Sequence, residues 1–499
     1  MSLDTETDRR WTRMHTITLV FVLLVAAFTR TSQILAESPW NDEVLTLKYI
    51  GLPTQAEYLK AVFEEDPWLI LSQGYYRVQY ACRYLFGGSV IAIRMLSVVL
   101  SLASLPLIAW LGHRLFSPSA GVAAAAFSAL ALVQVYYAQE TRFYALLNLE
   151  ALVAVAGLVW ALQRGSRWGW LWHFVGNAAL LYTHAFTPLF FAAQGLFLLW
   201  YWRGRPVRVL VWGAAHFAML GLFFLWVLYG LHYDFADKTQ AYNDIPPTWR
   251  EWVMTYIVFA GGRFSNHEPS PYMWGGISLD WGVTVLMLGL AAFAVSRFAA
   301  KSDGDGGWNR RDSLVLLLAW VVVPVALLFA ASIFWRPVYQ YRYVLYANAA
   351  LMLLAGGGWS LVDAKRVRIG IAVLLLSLMA WQNFALTRPF RPCFGLLWGI
   401  ARENPPSAGI LAMKPFVGRA AQFAVGDVME VGVLYGIDDM IFETDKRLRD
   451  GGELLILFHQ WNDYDRLEAA FDQRGYRYWR WELPGIPPLE MYQIWGPSE

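Results

Sequence analysis

The stretch that decides the fold is Ile17-Thr-Leu-Val-Phe-Val-Leu-Leu-Val-Ala-Ala-Phe-Thr-Arg-Thr-Ser-Gln-Ile-Leu-Ala36, followed after Glu37 by Ser38-Pro-Trp-Asn-Asp-Glu-Val-Leu-Thr46. An apolar run of about 20 residues is long enough to cross the hydrocarbon core of a bilayer. Asp42 and Glu43 therefore fall about six residues beyond the end of a span, at the water–lipid boundary. Two adjacent carboxylates there suit a general base and its partner acting on a membrane-borne substrate. The other reading is local: Asn41 caps a short helix, and the acids complement its N-terminal dipole.

The run is one of many. Of 499 residues, 57% are hydrophobic and 16% charged, with mean hydropathy +0.37; soluble proteins are about one-quarter charged. Apolar runs at 17–36, 89–111, 120–137, 143–162, 168–182, 186–202, 209–231, 277–298, 314–334, 343–361 and 369–386 predict a polytopic α-helical membrane protein of about eleven transmembrane helices. The first run reads as a signal anchor: it is too long for a cleaved leader and lacks a small-x-small site before Glu37. Arg9, Arg10 and Arg13 hold residues 1–16 in the cytoplasm, and each further inner loop is also basic, as at Arg114, Arg164, Arg205, Arg311 and Lys365.

The transmembrane domain is thus expected over 17–388, with outer loops at 37–88 and 232–276. Within the first loop, Tyr75-Tyr-Arg-Val-Gln-Tyr-Ala-Cys-Arg83 has one aromatic and one basic face, the pattern of a helix lying on the membrane. From 389 to 499 charges become dense, and short apolar runs alternate with helix-like ones. This is the texture of a small extracytoplasmic α/β domain. A net charge of +2 argues against a nucleic-acid partner. Cys82 and Cys393 have no metal-ligand spacing, and both fall on the expected outer side, where a disulfide is chemically allowed.

Five arginines oppose the positive-inside bias: Arg30, Arg94, Arg142, Arg336 and Arg342 all lie near outer span ends. One alone would snorkel to the interface. Five together suggest function, because intramembrane charge is costly and guanidinium groups bind phosphate through paired donors. The turn Tyr137-Ala-Gln-Glu-Thr-Arg-Phe-Tyr144 adds Glu140 and two tyrosines at the same level, and Tyr182-Thr-His184 adds a histidine. Glu64-Glu-Asp-Pro67 supplies further outer acids, which read more simply as a solvated helix end.

Taken in order, these motifs are Asp-Glu after span one, an acidic-Pro segment, Gln-Glu-x-Arg-x-Tyr after span three, Thr-His between spans five and six, and Arg-Tyr opening a late span. In that order the chain resembles the polyprenyl-phosphate-sugar-dependent glycosyltransferases of GT-C fold, which include the protein O-mannosyltransferases and the aminoarabinose transferase of lipid A. The resemblance covers about residues 15–390. It implies that Asp42 is the catalytic base and Glu43 its orienting neighbour. It also implies that Arg142 and Arg342 hold the donor phosphate, with Tyr144, Tyr343, His184 and Glu140 around the pocket. The expected partners are a polyprenyl-phosphate-linked sugar, membrane lipids, and a lipid, glycan or protein acceptor.

The chain departs from the family pattern at Glu65-Asp-Pro-Trp-Leu69, where relatives usually show His-Pro-Pro-Leu or Glu-Lys-Pro-Pro-Leu, and at Ala347-Asn348, where they carry proline. No cofactor is assigned. A divalent metal, which some relatives hold, would nominate Glu65 and His267, but the match is too thin to name ligands. The competing class is a transporter or flippase of lipid-linked sugars, which would be expected to show an inverted repeat of spans that this sequence lacks.

Overall fold

The computed structural model describes residues 10–32, 41–230, 246–262, 279–300, 308–385, 405–413, 415–426, 429–434, 437–449, 451–459, 464–483 and 489–496, together with 34, 39, 397 and 402. The 232–276 loop (except 246–262), the 301–307 loop, His267 and Cys393 lie outside these residues; Cys82 is a buried free thiol. The chain forms two compact units, Met1–Ser32 with Leu52–Phe384, and Gln33–Gly51 with Ala385–Glu499.

The first unit is helical. It comprises α1 (Arg13–Thr31), α3 (Gln55–Glu65), α4 (Gln73–Phe86), α5 (Val90–Leu115), α6 (Pro118–Leu130), α7 (Leu132–Ala138), α8 (Tyr144–Arg164), α9 (Arg167–Thr183), α10 (Pro188–Tyr201), α11 (Pro206–Gly230), α12 (Trp249–Phe259), α13 (Leu279–Ala300), α14 (Arg310–Phe334), α15 (Ala347–Ser360) and α16 (Lys365–Ala385). Among the described residues, seven helices are long and apolar enough to cross a membrane, or eight if α6 and α7 count as one broken span. Of the other expected spans, α9 has 17 residues and α10 and α15 have 14 each.

The expected continuous span at 120–137 is a correction: the chain bends by 60° between α6 and α7. Ala131 adopts an extended conformation there, with ψ 116°. A helix end inside a bundle exposes carbonyls that must find donors. Arg30 supplies two, to the carbonyls of Ala129 (2.8 Å) and Ser128 (3.3 Å), and Asn383 Nδ2 donates to Leu130 O at 2.8 Å. In return Gln139 Nε2 donates to the last carbonyls of α1, those of Thr29 and Arg30, at 3.2 Å each.

The centre of this unit is α15, buried from Ala347 to Gly358. Three consecutive glycines, costly in a helix interior, are explained by close approach. A Cβ on Gly356 would stand 2.6 Å from the Ala120 carbonyl, and one on Gly358 would overlap the Leu290 carbonyl. Backbone contact of this kind is how helices associate where lipid removes the hydrophobic drive between them. A buried polar cluster joins α9, α10 and α11. Asn177 and Gln194 exchange side-chain hydrogen bonds of 2.8 and 2.9 Å, and Asn177 also reaches His216 Nε2 at 2.9 Å. Trp212 Nε1 donates to His173 Nε2 at 2.9 Å.

The second unit contains α2 (Asn41–Leu47) and a five-stranded sheet of β1 (Gly409–Met413), β2 (Val431–Leu434), β3 (Glu453–His459), β4 (Arg477–Leu483) and β5 (Leu489–Trp495). Strand order is β2-β1-β3-β5-β4, parallel over the first three and antiparallel over the rest. Helices cover both faces, so the strands β1 and β3 read as continuous apolar runs. On one face α17 (Pro415–Val425) packs through Val417, Ala420 and Ala421; on the other, α18 (Ile437–Arg447) and α19 (Tyr464–Gln473) pack through Met440, Leu467 and Phe471. Helix α2 contacts α17. The segment bearing Asp42 and Glu43 is thus grouped with the C-terminal sheet, although about 360 residues separate them in sequence.

Candidate functional site

Side chains from four elements of the helical unit converge where α8 begins and α9 ends. The turn between α7 and α8 carries Glu140, Arg142 and Phe143, and Tyr144 opens α8; all four are buried. Ser97 of α5 anchors this turn by donating to the Glu140 carbonyl at 2.6 Å. His184 closes α9 as its C-terminal cap, in an extended conformation that turns the chain back into α10. The 3₁₀ turn Tyr341–Val344 brings Arg342 and Tyr343. Helix α4 reaches the same end of α9 because Gly74 passes so close that a Cβ would stand 2.8 Å from the Tyr182 carbonyl.

The rings form a connected cage. Tyr137 and Tyr144 have centroids 4.5 Å apart, and Phe143 and Tyr144 4.6 Å. His184 lies 4.7 Å from Phe143 and 5.1 Å from Tyr343, whose ring stacks on Phe186 at 5.2 Å. Arg142 donates from Nη1 to Tyr76 Oη at 3.1 Å and covers the Phe143 ring at 5.1 Å. Arg342 covers the Tyr343 ring at 5.8 Å, and the hydroxyls of Tyr137 and Tyr341 meet at 3.4 Å.

Both charges that act on His184 are positive. Burial, then Arg142, then Arg342 lower its pKa to about 3, so the imidazole is neutral at physiological pH and acts as a hydrogen-bonding group. Burial also pushes the Tyr341 hydroxyl up, and Glu140 adds to that shift. The structure therefore brings six sequence-nominated residues into one cluster: Arg142, Arg342, Tyr144, Tyr343, His184 and Glu140.

Asp42 and Glu43 occupy the first turn of α2 in the C-terminal unit and are buried, Glu43 completely. They are placed to complement the helix dipole, as the local reading expects. Thr46 Oγ1 donates to the Glu43 carbonyl at 3.1 Å.

Other expectations separate from the cluster. Arg30 is committed to the α6–α7 break and to Ser101 Oγ, at 2.9 Å, so it is a structural arginine and not an anion ligand. Glu64 ends α3 in an exposed ion pair with Lys60 at 3.8 Å, the solvated helix end. Among the described residues no three His, Cys, Asp or Glu side chains converge as metal ligands. Sequence reasoning missed Tyr76, Phe143 and Phe186. Tyr76 had a signal, the aromatic face of α4; the two phenylalanines had none beyond adjacency to Arg142 and His184.

No family profile and no curated protein sequence matches the chain. Solved structures do. ArnT from Cupriavidus metallidurans, bound to undecaprenyl phosphate, aligns over 96% of this chain and 97% of its own, with TM-score 0.52 and 13% identity. The archaeal oligosaccharyltransferase AglB from Archaeoglobus fulgidus, in complex with an inhibitory peptide and a dolichol-phosphate, aligns over 93% of this chain and 73% of its own, with TM-score 0.55 and 12% identity. At that identity the likeness lies in the path of the chain. Apolar spans, helix order and near end-to-end alignment agree on one conclusion: this is a polytopic membrane protein with the GT-C fold.

Proposed function

We propose that the chain is an inverting membrane glycosyltransferase that moves a sugar from a polyprenyl-phosphate donor to an acceptor hydroxyl on the extracytoplasmic face. The observation that carries this reading is the convergence of two guanidinium groups, the buried Arg142 and the half-buried Arg342, on a neutral histidine inside an aromatic cage. Positive charge gathered at low dielectric favours a phosphate that gains charge as it leaves. The aromatic walls favour the sugar ring or the first isoprene unit. The ligands of two structures of the same fold, undecaprenyl phosphate and a dolichol-phosphate, are of that class.

The reaction balances without a co-reactant. The acceptor oxygen attacks the anomeric carbon, the bond from that carbon to the phosphate oxygen breaks, and polyprenyl phosphate departs with the electron pair. Attack opposite the leaving group inverts the centre. The acceptor proton passes to the Asp42 carboxylate, which Glu43 orients. Arg142 and Arg342 hold the phosphate, His184, Tyr144 and Tyr343 line its pocket, and Glu140 fixes the turn that presents Arg142. The acceptor is a lipid, glycan or protein hydroxyl. In this reading residues 1–16 are cytoplasmic, 17–388 form the membrane domain of a cell (inner) membrane protein, and 389–499 are extracytoplasmic.

The test is transfer from synthetic polyprenyl-phosphate sugars by the purified chain in liposomes, followed by mass spectrometry. The parent should discharge at least one such donor; failure with hexose, pentose and aminopentose donors would overturn the reading. Asp42→Asn keeps size and capping ability but removes the basic lone pair, and general-base catalysis is worth about 10²–10⁴ in rate. Transfer should fall at least a hundredfold while donor binding and thermal stability stay near the parent. A variant that transfers at close to the parent rate would remove Asp42 as the base and leave Glu65 and Asp66 as the next candidates.

A further inference from the structure

At the opposite end of α8 and α9 from the aromatic cage lies a groove of about 970 Å³, open on one side and bounded by the C-terminal halves of α5 and α8 and the start of α9. Its walls are Trp110, Trp160 and Trp172, and its rim carries Arg114, Arg164 and Ser166. Trp160 and Trp172 are 37% and 50% exposed, so they would face lipid tails in a bilayer. The floor is rigid because α8 and α9 touch backbone to backbone. A Cβ on Gly176 would stand 2.6 Å from Ala154 N, and one on Gly157 or Gly169 would overlap the facing helix outright.

The rim is built to hold charge. Arg114 Nε donates to Gln163 Oε1 at 2.9 Å, and Gln163 Nε2 returns a bond to the Arg114 carbonyl at 3.3 Å, which locks the guanidinium in place. The two Nη groups of Arg114 make no hydrogen bond among the described residues, and Arg164 makes neither a hydrogen bond nor an ion pair among them. Both guanidinium-bearing side chains line the same groove. Like charges held together beside an apolar groove are complementary to an anion with a hydrocarbon tail.

We propose that this groove is a binding site for an anionic phospholipid of the cytoplasmic leaflet, its phosphate between Arg114 and Arg164 and one acyl chain against the three tryptophans. The leaflet follows from the positive-inside orientation, since Arg114, Arg164 and Arg167 cluster at this end. Basic pockets between helices on that side are where lipid phosphates are held. The site is independent of the sugar-transfer reading.

The experiment uses the full chain in proteoliposomes with a phosphatidylglycerol carrying a photoactivatable acyl chain. Label should map to peptides containing Trp110, Trp160 or Trp172, and unlabelled phosphatidylglycerol should displace it while phosphatidylcholine does not. In R114Q/R164Q the advantage of phosphatidylglycerol over phosphatidylcholine should fall roughly thirtyfold, with two arginines each losing one surface-charge contact. Equal displacement by phosphatidylcholine would overturn the proposal. So would displacement by polyprenyl phosphate in preference to phosphatidylglycerol, which would assign the groove to the donor lipid. The competition in the parent decides the matter even if the double variant fails to fold.

Discussion

Arg30 and Arg342 sit in two regions that look alike in sequence and differ in kind. Each lies near the outer end of an expected span, and each is a cation in a place that disfavours cations. In the region of the α6–α7 break, Arg30 donates to a hydroxyl and to carbonyls left over by a helix end. Its charge is spread over the negative end of a broken helix, which satisfies both partners. In the region where α8, α9 and the 3₁₀ turn meet, burial, and after it Arg142 and Arg342, keep His184 neutral. The first arrangement stabilises the fold and is complete. The second sets two cations and the Glu140 carboxylate around an aromatic cage, an arrangement suited to an anionic ligand. An arginine at a span end is therefore diagnosed by what its neighbours are.

Substitutions should separate the two regions by readout. Arg30→Met should act on stability: it orphans the Ser128 and Ala129 carbonyls, each worth about 1–3 kcal/mol when buried without a donor. A loss of roughly 2–5 kcal/mol is expected in thermal or denaturant unfolding of the purified protein. Donor affinity in the surviving folded fraction should be unchanged. An Arg30→Met protein that is stable but binds donor weakly would place Arg30 with the phosphate ligands and erase the contrast.

Arg342→Ala should do the reverse. A charge-assisted contact to phosphate is worth about 1.5–3 kcal/mol, or roughly ten- to a hundred-and-fifty-fold in affinity for the polyprenyl-phosphate sugar. Thermal stability should stay near the parent, because Arg342 is only half-buried and, unlike Arg30, does not sit at the α6–α7 break. Unchanged affinity, measured by isothermal titration or by competition with polyprenyl phosphate, would make Arg342 a snorkelling side chain.

The effect that is smallest near neutral pH, and grows with acid, is a pH dependence. His184 is lowered to about 3 in the folded protein, from an ordinary 6.5. Between those values the unfolded chain takes up a proton that the folded one refuses, so stability rises with pH across this window. The contribution is fully present above about pH 6.5 and is lost as pH falls toward 3. The melting temperature should drop on acidification from neutral pH, and His184→Gln should flatten that slope. Bound donor phosphate would offset the two arginines and reduce the slope only in part, since burial is the larger cause. A slope equal in parent and variant would mean that His184 does not carry the pH dependence.

Much of the cluster was legible because its parts are short motifs with unusual chemistry: Gln139-Glu-Thr-Arg142, Thr183-His184 and Arg342-Tyr343. What was not legible was which arginine belonged to it. The break at Ala131 lies within Leu130-Ala131-Leu132, with no Gly or Pro to mark it, and hydropathy averaged over a window is blind to a change of direction. Without the break there is no reason to expect a donor there, so Arg30 joins the wrong group. The basic rim of the groove was legible only as an orientation signal, because the void beside Arg114 depends on how three helices splay.

By itself, then, the sequence determined the class of molecule: apolar runs that no soluble fold could hide, basic loops between them, and an α/β domain at the C-terminal end. Those properties follow from transfer free energies and propensities of residues close together in the chain. Only the tertiary structure decided that α2 goes with the sheet of the second unit, that α15 is the packed axis of the first, and that Tyr76, Phe143 and Phe186 complete the cage. These depend on contacts between residues far apart in sequence, where a Gly-to-carbonyl approach or a donor meeting an orphaned carbonyl has no local signature.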